Sequence, residues 1–192
     1  MKTSNYILIA ICILVIASIL TFFITSKQNE GLYTNKTEIL LPDTINVIVA
    51  ESNTGFDING SDKNALLWNN SITGLAVYRI SNDTLLLNVI AFRPVILFNH
   101  SVSILGEKDN TIDIYNYKAN QLTVKKTGGN LTLRRNTIDT LRIQATDNVT
   151  VFLYGNNQIE YLSADMRNGS TFNYDNSNKI GTMTVKTDNG GD

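Results

Sequence analysis

Residues 140–155, TLRIQATDNVTVFLYG, alternate apolar with polar side chains in two short runs on either side of a turn, the pattern of two β-strands with one buried face. The apolar positions Ile138, Leu141, Ile143, Val149, Val151 and Leu153 return twenty-one residues later as Ile159, Leu162, Ala164, Ser170, Phe172 and Tyr174. All but Ser170 keep an apolar or amphipathic side chain. A further step gives Ile180, Met183 and Val185, and with looser spacing the pattern runs upstream through Leu122, Val124, Leu131 and Leu133, then Val102, Ile104, Ile112 and Ile114. The turns between these runs, such as KKTGGN, ATDNV and MRNGS, supply the Gly, Asn and Asp that tolerate positive φ.

A unit of about twenty residues made of short strands cannot bury its apolar row alone, but stacked copies cover one another. The pattern therefore predicts an all-β fold, a β-solenoid whose coils stack at strand spacing, about 4.8 Å. Leucine-rich repeats share the period but need a denser leucine ladder. A β-sandwich is the alternative, since strands every 8 to 12 residues also describe one. The simultaneous return of several positions at one period favours the solenoid.

Residues 39–105 are less regular. INVIVA, ALLW, GLAVYRI, TLLLNVIAF and VILF read as strands, with Pro42 and Pro94 at boundaries where no ladder hydrogen bond is lost. The near-continuous apolarity of TLLLNVIAF predicts cover on both faces. No periodicity of 3.6 residues stands out beyond the N-terminus.

There the picture changes. Tyr6–Ile24 carries no charge, and as a helix it would reach about 28 Å, close to the hydrocarbon thickness of a bilayer. No small-residue cleavage site follows it, so residues 6–25 are expected to be an uncleaved transmembrane anchor rather than a signal peptide. Residues 1–5 then form a short cytoplasmic N-terminus, 26–38 a polar linker and 39–192 the solenoid domain. Lys2 before the span and Lys27 after it give a weak preference for the N-terminus inside. The strand-rich, Asn-rich remainder fits a periplasmic or extracellular domain of a bacterial single-pass membrane protein.

Lys and Arg number 16 against 17 Asp and Glu, a balance that predicts no field for steering nucleic acid. Cys12 is the only cysteine and lies within the apolar run, so neither an intrachain disulfide nor a Cys/His zinc site is expected. His100, the only histidine, reads as a turn residue between two strands rather than part of a triad. The C-terminal TDNGGD has one copy of a calcium-repeat fragment without its partners, and Asp113, Asp147, Asp165 and Asp175 fall on separate turns and strand faces. No pair of carboxylates is evident for glycoside hydrolysis, although stacking could create one. No catalytic, metal or cofactor residues are assigned, and an enzyme is not expected.

Tyr115, Tyr117, Phe152 and Tyr154 occupy the phase alternate to the inward row, which makes them a candidate outer aromatic face for a sugar or a partner. Lys125–Lys126 and Arg134–Arg135 read as solubilising edge charges. The coil begun at Ile180 lacks a visible polar cap, so pairing with a second copy or another envelope protein is expected there.

The order INVIVAESNTGFDINGSDKNALLW, SNDTLLLNV, TGGNLTL and IDTLRIQATDNVTVFLYG resembles the GIN-domain family, the auto-transporter adhesin head domains, over roughly residues 40–187. The resemblance implies a right-handed β-helix or β-solenoid at the cell envelope and carries no catalytic motif. This chain has fewer Gly-Ser-Gly turns than that pattern and an anchor in place of a cleaved signal. The expected function is non-catalytic binding or scaffolding at the envelope, adhesin-like, of an envelope glycan or protein. A membrane-tethered sensor or regulator is the alternative, and a polysaccharide-active β-helix enzyme the remote one.

Overall fold

The structure, a computed structural model, describes residues 36–51, 55–69, 78–88, 93–107 and 109–188. The expected anchor at residues 6–25, the N-terminal residues 1–5 and the linker up to residue 35 lie outside the described residues. Contacts divide the chain into a unit of residues 1–37 with 69–72 and a unit of residues 38–68 with 73–192, and the second unit holds the architecture that follows.

Among the described residues every regular helix or strand is a strand. The less regular part contains β1 (Lys36–Leu40), β2 (Val47–Ala50), β3 (Phe56–Gly60), β4 (Ala65–Asn69), β5 (Tyr78–Ser81), β6 (Thr84–Leu87) and β7 (Val95–Phe98). The chain then winds through β8 (Val102–Gly106), β9 (Thr111–Tyr115), β10 (Lys118–Thr127), β11 (Asn130–Arg134), β12 (Thr137–Thr146), β13 (Thr150–Tyr154), β14 (Gln158–Met166), β15 (Thr171–Tyr174) and β16 (Lys179–Thr187). From β8 onward it alternates between two sheets. The first runs β1-β4-β7-β3-β9-β11-β13-β15 and the second β16-β14-β12-β10-β8-β2-β6-β5.

Successive coils pair in parallel, which makes the fold a β-solenoid and excludes the sandwich. The register is the one read from the sequence: Ile138 lies beside Ile159, Leu141 beside Leu162, Val151 beside Phe172 and Leu153 beside Tyr174. Ile138, Leu141, Val151, Leu153, Ile159 and Leu162 form one continuous buried core with Leu122, Val124, Leu131 and Leu133, and Phe172 packs against it. The long strand of each coil bends once. In β12 the alternation slips between Ile138 and Leu141, with Asp139 and Thr140 both outward, and the slip recurs in β14 at Glu160 and Tyr161. One extra outward residue turns the chain through a corner and restores the inward phase.

Two stacked turns close each coil. One has two consecutive residues at positive φ, realised as Gly128–Gly129, Asp147–Asn148 and Asn168–Gly169. At the other, Asn116, Arg135 and Asn156 take positive φ, and each rotates the following residue into the interior. Asn136, Asn157 and Asn178 follow one another there as an asparagine ladder. Asn136 Nδ2 donates to Asn157 Oδ1 at 3.0 Å, and Asn157 Nδ2 donates to Asn178 Oδ1 at 2.8 Å. Each also donates to a carbonyl of the strand in its own or the preceding coil, Ile114, Leu133 and Leu153 respectively. Tyr117 stands at the next rung. Its backbone N–H donates to Asn136 Oδ1, and its hydroxyl donates to the His100 carbonyl.

The first part of the chain joins this stack out of order. β2 and β3 lie directly beside β8 and β9, while β6 and β7 lie on their far side. β3 was not among the strands expected from the sequence; only Phe56 and Ile58 mark its inward face. Beyond β6 and β7 come β5 and β4, which pair antiparallel. An antiparallel strand cannot continue the winding, so the coils end there, with β1 paired beyond β4 in the first sheet. Of TLLLNVIAF, residues 89–92 lie outside the described residues; over β6, Leu85 and Leu87 are buried and Leu86 is half-buried.

Candidate binding face

The outward side of the first sheet carries the best-defined cluster. Parallel pairing sets Asp57 beside Asp113 and Asn59 beside Tyr115, and then Tyr115, Arg134 and Tyr154 side by side on β9, β11 and β13. The Arg134 guanidinium lies between two tyrosine rings, 4.4 Å from the Tyr154 centroid and 5.8 Å from that of Tyr115. Its Nη2 donates to Tyr154 Oη at 2.5 Å. Its Nε is closed to solvent and has no hydrogen-bond acceptor among the described residues, so the faces of the rings supply its electrostatic partner. Phe152 meets Tyr154 edge-to-face, with centroids 6.5 Å apart at 77°.

Arg93 closes the other side of the cluster. Its Nε contacts Asp57 Oδ1 and its Nη2 contacts Asp113 Oδ2, each at 2.5 Å, so one guanidinium bridges two carboxylates that would otherwise repel across the strands. Asp113 also accepts from Tyr115, whose phenol is pushed up to about 12, first by burial and then by that hydrogen bond and the negative charge beside it. The side chains together offer ring faces, edge donors and fixed charges. The stacked carboxylate pair is held in an ion-paired network rather than presented as an acid and a base.

Of the expected aromatic face, Tyr115, Phe152 and Tyr154 lie outward and share this cluster, whereas Tyr117 does not. Tyr117 is fully buried, because Asn116 at φ 51° breaks the strand alternation and turns the next side chain inward. Burial pushes its phenol upward as well. Two of the expected edge charges are also corrected. Arg134 is half-buried between the tyrosines, and Lys126 is 2 % exposed because the inward phase of Leu122 and Val124 continues to it. The repeat spacing alone would have placed Arg134 between Tyr115 and Tyr154. Asp57 and Arg93 carry no such signal, since a long excursion of chain separates β3 from β9.

The other carboxylates singled out from the sequence make local contacts. Asp147 accepts from Asn168 Nδ2, Asp165 pairs with Arg167, and Asp175 accepts from the Ser177 amide and hydroxyl. Hydrogen bonds to Arg167 and to Ser177 hold Asp165 and Asp175 below the ordinary carboxylate range. His100 sits in the bend between β7 and β8, with Nε2 2.6 Å from the Ile45 carbonyl and its ring edge-on to Phe98. Among the described residues no group of His, Cys, Asp and Glu is arranged to hold a metal.

A second surface lies at the last coil. Phe172 and Tyr174 belong to the inward row, and among the described residues no strand pairs beyond β15; with Met183 and Val185 they line a concavity of about 1000 Å³. Tyr174 is 55 % exposed, a large apolar ring left in solvent by position rather than by phase. No known protein family, curated protein or solved structure matches the chain.

Proposed function

We propose that the chain is a membrane-anchored bacterial envelope protein of the GIN-domain type, and that its β-solenoid binds an envelope glycan on the outer face formed by Tyr115, Arg134, Tyr154 and Phe152. The observation that carries this reading is the tyrosine–arginine–tyrosine stack. It places ring faces next to oriented donors on a rigid sheet, the combination that engages both the apolar face and the hydroxyls of a sugar ring. The uncharged run Tyr6–Ile24 supports the anchor, with the N-terminus in the cytoplasm and the solenoid outside.

The test is saturable binding of the detergent-solubilised full chain to isolated envelope polysaccharide. Arg134→Ala and Tyr154→Ala are each expected to weaken binding about tenfold or more, which corresponds to about 1.4 kcal/mol. Binding that is unchanged in both, with the fold intact, would reject this face. Tyr117→Ala belongs outside the test, because it would open the core.

The open last coil favours a second reading, a homodimer. β15 and β16 leave both sheets with an unpaired edge among the described residues, and a two-fold axis would set each edge against its counterpart and bury Tyr174, Met183 and Val185.

A further inference from the structure

Lys126 is a lysine in an apolar column. Its stacked neighbours are Gly106 in β8 and Ala145 in β12, and their small size opens the space its side chain fills. A Cβ on Gly106 would lie 2.8 Å from Ile112 Cδ1 and 3.4 Å from Asn110 Oδ1, with the Lys126 stem in van der Waals contact at 3.7 Å, so the site beside the lysine has no room for a larger residue. Its Nζ reaches Asn110 Oδ1 at 2.6 Å. The two residues are 2 % and 0 % exposed.

Asn110 is held for this contact. Its Nδ2 donates to the Glu107 carbonyl at 3.0 Å, and its own carbonyl accepts the Asn130 amide at 3.1 Å. Gly129 at φ 72° packs so closely that a Cβ there would lie 2.2 Å from that same carbonyl oxygen. An amine and a carboxamide are thus fixed against each other away from water, the condition under which an intramolecular reaction gains most from positioning.

We propose that Lys126 and Asn110 join in an intramolecular isopeptide bond. The lone pair of the neutral amine adds to Asn110 Cγ, and the new C–N bond forms as the carbonyl π electrons move to oxygen. A proton passes from Nζ to Nδ2. The Cγ–Nδ2 bond then breaks as the carbonyl re-forms, and ammonia leaves. Amine and primary amide become secondary amide and ammonia, with no oxidant or cofactor consumed. Burial lowers the lysine from 10.5 to about 8, so a substantial share of the amine is neutral near physiological pH. The product removes a buried charge from the core and ties β10 to the turn before β9.

The test is the intact mass of the denatured full chain, with a tryptic map. The expected result is a mass lower than the sequence by one ammonia, and a branched peptide joining 109–118 to 126–134 in which trypsin has not cut after Lys126. Lys126→Met and Asn110→Ala should each restore the full mass. A succinimide at Asn59–Gly60 or Asn168–Gly169 would lose the same mass but hydrolyse in mild base, whereas the isopeptide survives it. The full sequence mass with a Lys126 amine open to acylation after denaturation overturns the proposal. So does a deficit that mild base removes or that persists in Lys126→Met.

Discussion

At the scale of single residues, the interior polar groups set the sharpest expectations. Asn157 donates to two carbonyls and to Asn178 Oδ1, and accepts from Asn136, all within the core. Asn157→Ala would orphan these partners and is expected to cost about 2–4 kcal/mol, read from urea unfolding, with a smaller loss for half-buried Asn178→Ala. Lys126 gives a pH signature. As a free amine it is lowered to about 8, so between that pH and 10.5 the unfolded chain binds more protons than the folded one and stability rises with pH. Asn110→Ala keeps the amine and should melt at higher temperature as pH goes from 8 to 10, whereas the linked wild-type chain should stay flat over that range. Tyr115 acts in the opposite sense. Its phenol is raised to about 12, so its contribution is present below pH 10 and is lost as pH climbs from 10 towards 12.

At the scale of elements, stability resides in the stacked strands and not in any one strand's propensity. Leu141 is fully buried in β12, flanked by Leu122 and Leu162 in register, so Leu141→Ala is expected to cost about 2–5 kcal/mol. Met183 occupies the same column one coil beyond Leu162 but is 39 % exposed, and Met183→Ala should change stability much less. A gradient along one column, measured by denaturation of the two variants, follows from which strands have a neighbour on both sides. The turns obey the same logic. Gly128–Gly129 and Asp147–Asn148 share a backbone but not a composition: both pairs take two positive φ values, and at Gly129 the close Asn110 carbonyl leaves no room for a Cβ.

At the scale of the whole molecule, the two ends of the solenoid differ. Antiparallel β4 and β5 stop the winding at one end, while among the described residues β15 and β16 leave two open edges at the other. In a stack held by neighbour contacts the open end frays first, so amides of β16 should exchange with solvent faster than those of β12. Dimerisation through that end would reverse the order. Val185→Asp, placed on the exposed inward row, is expected to give a monomer by sedimentation with little change in melting temperature. A wild-type monomer at high concentration would remove the dimer reading and leave the outer face of the first sheet as the surface of interest.

The sequence by itself determined the repeat. Alternation at period two and return at about twenty residues specify which side chains point inward and which coil lies on which, because a one-residue slip would expose the whole apolar row. That is why the register from β8 to β16 was readable. It also held the stack of Arg134 between two tyrosines, once the period was applied to outward positions as well as inward ones. Tertiary structure alone decided what crosses breaks in that period. The insertion of β2 and β3 between β7 and β8 in the stack brought Asp57 and Arg93 to Asp113, and long-range pairing of this kind leaves no local trace. The positive φ at Asn116 sent Tyr117 into the core, and small neighbours in adjacent coils, Gly106 and Ala145, made an interior place for Lys126 beside Asn110.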